Sequence, residues 1–166
     1  AKTSQQSNRR VGIQSRKNPA YRAVGRGRTK MRISRELRNI EGLTHHLPMM
    51  CAGHKCLVEH GHSYWVEVWV EGEVDSRGLC AGIDTAEIET IWGYIHTMLD
   101  HAGSMNVIPG LENPTTENFT SWIWEKFNRV WGDQGHLIER FGVHVKEGYW
   151  SHCWHEGKPI SSEQAD

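Results

Sequence analysis

The stretch His60-Gly61-His62-Ser63-Tyr64-Trp65-Val66-Glu67-Val68-Trp69-Val70-Glu71-Gly72-Glu73-Val74 decides the fold. Tyr64, Val66, Val68 and Val70 alternate with Trp65, Glu67, Trp69 and Glu71, the two-residue period of a strand with one buried face. At the head of this strand His60 and His62 stand two apart, so both imidazoles leave on the same side and can reach one ion.

Working outward, Ile33, Ile40 and Leu43 are inward candidates in a mixed segment at 31–46, which we expect to hold a first strand. Downstream, Ile88, Ile91, Trp92, Ile95, Met98 and Leu99 recur at helical spacing and predict an amphipathic helix over 85–99. Asn113-Pro114-Thr115-Thr116 followed by Glu117 suits a second helix start. Phe119, Trp122, Ile123, Phe127, Val130 and Trp131 are its apolar stripe, and Gly132 its end. Val143 and Val145, then Tyr149 to Trp154, predict two closing strands. The resulting order is strand, strand, helix, helix, strand, strand, an α+β arrangement with both helices on one sheet face.

The chain has 166 residues, enough for one domain plus an extension. Its net charge of −1 conceals a division. Residues 1–39 carry twelve basic side chains against Glu36 alone, while the remainder holds seven basic and nineteen acidic ones. Residues 1–30, rich in Ser, Gln, Asn, Arg and Gly, lack apolar periodicity and read as an extension to a folded body at 31–166. The extension has three readings: a solubilising arm, a nucleic-acid contact, or a segment lying on the acidic body of its own or a neighbouring subunit. We expect the third.

No run approaches the roughly 18 apolar residues of a membrane span, and no secretory leader is evident, so a cytoplasmic protein without membrane association is expected. In that setting Cys51 and Cys56, set among histidines, suggest metal binding or catalysis, and Cys80 and Cys153 suggest packing.

His60 and His62 need a third nitrogen, available from His45 or His46. Three histidines with an open position describe a catalytic zinc centre. A closed Cys/His site from Cys51, Cys56, His60 and His62 competes, although its cysteines are spaced more loosely than in ordinary zinc modules. The Asp100-His101 pair at the end of the first helix has the composition of a base with its orienting carboxylate, and equally that of a plain helix terminus.

Taken in order, His45-His46-Leu47-Pro48, Gly53-His54-Lys55-Cys56, His60-Gly61-His62-Ser63-Tyr64, Leu99-Asp100-His101, Ile108-Pro109-Gly110-Leu111-Glu112-Asn113-Pro114-Thr115 and Val145-Lys146-Glu147 resemble the 6-pyruvoyltetrahydropterin synthase superfamily. Within it they are most similar to the queuosine-pathway branch, the 6-carboxy-5,6,7,8-tetrahydropterin synthases. The resemblance implies a T-fold (tunnelling fold), in which antiparallel sheets of several subunits join into a barrel, here a homo-oligomer expected to be a hexamer. It also implies roles. His45, His60 and His62 are the Zn2+ ligands, and Cys56 is the catalytic cysteine, four residues before His60 as in the queuosine branch. Asp100 and His101 are the second catalytic pair, and Glu147 is the carboxylate that grips the pterin of a pterin triphosphate substrate. Gly148 departs from the pattern, which commonly has threonine there.

The implied activity is a carbon-carbon lyase acting on 7,8-dihydroneopterin triphosphate in 7-deazaguanine biosynthesis. The alternatives are triphosphate elimination to 6-pyruvoyltetrahydropterin and a zinc-stabilised nucleic-acid-binding protein that uses the basic extension.

Overall fold

A computed structural model describes residues 29–100, 102–133 and 137–164. The expected extension at 1–30, apart from its last two residues, and the expected catalytic His101 lie outside the described residues. The strands are β1 (Lys30–Glu36), β2 (Ile40–His45), β3 (His60–Glu73), β4 (Ile138–Glu147) and β5 (Ser151–Gly157). Two helices, α1 (Thr85–Leu99) and α2 (Thr116–Asp133), lie between β3 and β4. No helix of the described residues is long and apolar enough to cross a membrane.

β3 is the spine of one antiparallel sheet. β4 runs along one side with β5 beyond it, while β1 and β2 share the other side in succession. β1 pairs with the far half of β3 (Glu36 opposite Glu67), and β2 pairs with its beginning (His45 opposite His60). The single strand expected within 31–46 is thus two. Leu37 is buried and its N–H still bonds to Val66 O at 2.9 Å, one step beyond the Glu36–Glu67 pair, before strand pairing resumes at Ile40 opposite Tyr64.

The alternation read from β3 holds: Tyr64, Val66, Val68 and Val70 are buried against both helices together with Phe141, Val143 and Val145 of β4. α1 begins where Asp84 Oδ1 accepts from Ala86 N–H, and α2 where Thr115 Oγ1 accepts from Asn118 N–H. Ile88, Ile91, Trp92, Ile95 and Leu99 are buried on α1, but Met98 is 45% exposed at the margin of the stripe. Trp124, outside the predicted stripe of α2, is nevertheless buried. It is stacked between Phe141 and the His155 imidazole of β5, with centroids 4.8 and 4.5 Å away.

Trp69, on the opposite face, is also buried, because Gly142 beside it has no side chain and Arg32 covers its ring at 3.8 Å. Tyr149 and Trp150, expected in the last strand, instead form the β4–β5 turn, which Gly148 opens in the left-handed region (φ 57°). Cys80 is buried and its thiol donates to Met31 O, in keeping with packing; burial pushes its ionisation up.

Candidate metal and pterin site

The buried face of β3 changes character toward its start. Val66 stands opposite Val145, Tyr64 opposite Glu147, and His60 opposite His45, so one continuous face passes from aliphatic core to ligand-bearing side chains within six residues. The period of two that buries the valines also presents His62 and His60 on the same side.

His45, His60 and His62 offer ligand nitrogens that all lie within 4.8 Å of one another. His45 is 3% exposed, and its Nδ1–H donates to Pro114 O at 2.9 Å. His60 Nδ1–H donates to Val58 O at 2.8 Å. A carbonyl only accepts, so these contacts assign the proton of each neutral ring to Nδ1 and leave both Nε2 atoms as bare lone pairs. Those Nε2 atoms face each other at 3.1 Å. Two lone pairs at that distance repel unless a cation lies between or beside them. A proton is disfavoured, because burial pulls the His45 imidazole below the usual histidine range, more than the Pro114 carbonyl and Glu147 offset. A metal ion suits the arrangement, and carbonyl-anchored imidazoles are the usual support for one. The donor set therefore fits a divalent metal.

Glu147 flanks the triad on the side of His45 and His62. Its Oε1 is 3.3 Å from His62 Nε2 and 3.6 Å from His45 Nε2, and its side chain is 14% exposed. Thr116 Oγ1, at the N-terminus of α2, donates to Oε2, and Tyr64 O–H donates to Oε1 at 3.3 Å. Burial, reinforced by the nearby Glu147 charge, pushes the Tyr64 phenol far above its ordinary range, so it remains a donor at any working pH.

The surrounding loops are stapled by asparagines. Asn106 Oδ1 accepts from His46 N–H while its Nδ2 donates to His46 O and Glu112 O. Asn113 Oδ1 accepts from Met49 N–H, and Asn113 O accepts from Asn118 Nδ2. These bonds hold the Pro114 carbonyl over His45.

Cys56 and Asp100 are not in the group around the triad. Cys56 is half-buried in a 3-10 turn, Lys55–Leu57, where its N–H donates to His54 Nδ1 and its carbonyl accepts from Leu47 N–H at 2.7 Å. Cys51 is exposed. Asp100 caps α1 and lines a cavity of about 730 Å³ with Arg35, Arg38, Trp92 and His96, toward the start of β2, whereas His45 closes its end. Tyr64 and Thr116 were not among the residues singled out from sequence as functional. Tyr64 was discoverable, since it continues the side-chain series of His60 and His62; nothing in the sequence places Thr116 beside Glu147.

This combination defines a class: a subunit whose antiparallel sheet carries two helices on one face and a three-histidine centre at the end of its longest strand. The chain belongs to the 6-pyruvoyl tetrahydropterin synthase family, whose model matches residues 39–157. It is 36% identical over 70 residues to a dihydroneopterin monophosphate aldolase of Pyrococcus furiosus, covering 42% of this chain and 56% of that one. It is 33% identical over 75 residues to a 6-pyruvoyl tetrahydrobiopterin synthase of Dictyostelium discoideum, covering 43% and 55%. The match thus spans about half the length of either relative.

Among solved structures, the Caenorhabditis elegans 6-pyruvoyl tetrahydropterin synthase superposes with a TM-score of 0.66 at 20% identity, over 80% of this chain and 100% of that one. The Plasmodium falciparum 6-pyruvoyl tetrahydropterin synthase gives 0.60 at 17% identity, over 78% and 98%. The fold is the T-fold expected from the motifs.

Proposed function

We propose that this chain is a zinc-dependent 6-carboxy-5,6,7,8-tetrahydropterin synthase of 7-deazaguanine biosynthesis, acting in the cytoplasm as a homo-oligomer. The observation that carries the reading is the joining of the His45, His60 and His62 nitrogens with the Glu147 carboxylate on one strand face, in a chain whose Cys56 stands four residues before His60.

Glu147 supplies two acceptor oxygens, matched to the two N–H groups on the 2-amino-4-oxo edge of a pterin. Thr116 and Tyr64 hold that carboxylate in place, and the low exposure of His45 and Glu147 keeps water from competing. A zinc ion on the three histidines would act as a Lewis acid toward the oxygens of the substrate side chain. Cys56, as thiolate, takes a proton from the side-chain carbons. Asp100 orients His101 for proton transfer on the opposite side. Since Asp100 and the triad belong to different regions of one subunit, this role fits a site completed by a neighbouring copy.

Water and 7,8-dihydroneopterin triphosphate are consumed; 6-carboxytetrahydropterin, acetaldehyde and triphosphate are released. Incubating the zinc-loaded protein with that substrate and identifying products by mass tests the reading, with Cys56→Ala as control. Acetaldehyde with a 6-carboxypterin, lost in the control, supports it. A 6-pyruvoyl product assigns triphosphate elimination instead, and absence of turnover by zinc-loaded protein overturns the enzyme reading.

A further inference from the structure

The position of Glu147 goes beyond what gripping a pterin requires, because its carboxylate is turned onto the metal-binding nitrogens. Zinc with four ligands at 2.0–2.1 Å sets neighbouring donor atoms roughly 3.3 Å apart. The separations here are 3.1 Å between His45 and His60 Nε2, 3.3 Å between His62 Nε2 and Glu147 Oε1, and 3.6 Å between His45 Nε2 and Oε1. Glu147 Oε1 thus stands at ligand-to-ligand spacing from His45 and His62, whereas the atoms that all gather within 4.8 Å of one another are those of the three histidines, so Glu147 would complete the set by closing toward His60.

Charge points the same way. Glu147 is a carboxylate with 14% side-chain exposure, and its ion-pair partners among the described residues are His45 and His62. As metal ligands both rings are neutral and supply no counter-charge. Two neutral donors, Thr116 and Tyr64, solvate the anion without neutralising it. A divalent ion on the triad would supply the missing counter-charge. Thr116 holds only Oε2, so Oε1 can approach such an ion without breaking that bond.

We propose that Glu147 is a fourth metal ligand in the substrate-free protein and that pterin binding draws it away. The inference rests on the pterin reading above. The N–H groups of the pterin edge recruit the same oxygens, so ring recognition opens the coordination position that the substrate's side chain then needs. Metal exposure and substrate recognition become one event, and the ion is kept from idle water while no pterin is present.

The test uses the full-length protein loaded with Co2+, whose visible ligand-field bands report the donor set. Unsubstituted pterin, which lacks side-chain hydroxyls, is titrated while its fluorescence follows binding independently. The expected result is a band shift that tracks pterin occupancy in the wild type. In Glu147→Gln the bands are altered before any pterin is added, and Co2+ binds about 10- to 100-fold more weakly.

Pterin that binds without moving the bands overturns the exchange and leaves the pterin reading standing. An equal shift in the variant places pterin itself on the metal and also overturns it. If pterin does not bind, the pterin reading falls and the exchange with it. Wild-type bands and Co2+ affinity in Glu147→Gln overturn the fourth-ligand assignment in every case.

Discussion

His45 and His60 face each other across the β2–β3 ladder with Nε2 atoms 3.1 Å apart, while the Nδ1–H of each donates to a backbone carbonyl. Their lone pairs are aimed at a common point by bonds to Pro114 O and Val58 O, which the metal itself need not make. Such preorganisation is worth having because imidazoles oriented beforehand lose little rotational freedom on binding.

The first consequence concerns metal content. His60→Ala should reduce bound zinc from about one equivalent per chain to a small fraction, measured by elemental analysis after gel filtration. Wild-type protein at a free zinc level about 100-fold above its Kd should be stabilised by about 2.7 kcal/mol over chelated protein, a difference that His60→Ala abolishes in urea unfolding.

Cys56→Ala should separate chemistry from binding. Turnover is expected to fall by about 100- to 10,000-fold, the usual contribution of a positioned proton-transfer group. Zinc content should stay at the wild-type level, since the gathered nitrogens of His45, His60 and His62 remain in place without the Cys56 thiol. Loss of metal in this variant would instead favour a Cys/His site.

Acidity should weaken the metal-free fold. Burial lowers the ionisation of His45, His144 and His155 in the folded protein. The unfolded chain, with histidines near pH 6.5, then binds more protons than the native state as pH falls through that value. The stability present above about pH 6.5 is lost progressively as pH drops toward the lower folded values. Urea midpoints of chelated protein should decline between pH 7.5 and 5.5; a flat profile would contradict the burial of these rings.

Gly142→Ala tests the helix-free face of the sheet. An added Cβ would lie 2.5 Å from the Trp69 ring, which is itself capped by Arg32. Overpacking of this kind costs about 1–3 kcal/mol, readable as a lower urea midpoint with unchanged slope.

Deleting residues 1–30 tests the basic extension. If it lies on the acidic body, the shortened chain should lose thermal stability or change its assembly state in sedimentation. Unchanged behaviour in both measurements would leave a solubilising or nucleic-acid role.

Several elements were legible in the sequence for a local physical reason. Burial of one face imposes a period on the nearest residues, so β3 and α1 could be bounded from Tyr64 to Val70 and from Ile88 to Leu99. The same periodicity set His60 and His62 on one side. Less was legible where a residue's neighbours are distant in sequence. The division of 31–46 into two strands depends on their separate pairing with β3, the burial of Trp124 on Phe141 and His155, and the turn at Tyr149 and Trp150 on the positive φ of Gly148.

By itself, then, the sequence determined the alternating face of β3, the two amphipathic helices, the paired histidines and, through its ordered motifs, the family. Only the tertiary structure decided that His45 stands opposite His60 and Glu147 opposite Tyr64, and that Pro114 and Thr116 come down on them from the start of α2. The reason is register. A strand's period says which way a side chain points, but its partner depends on how strands far apart in the chain align, and a one-residue slip would send the site to the other face.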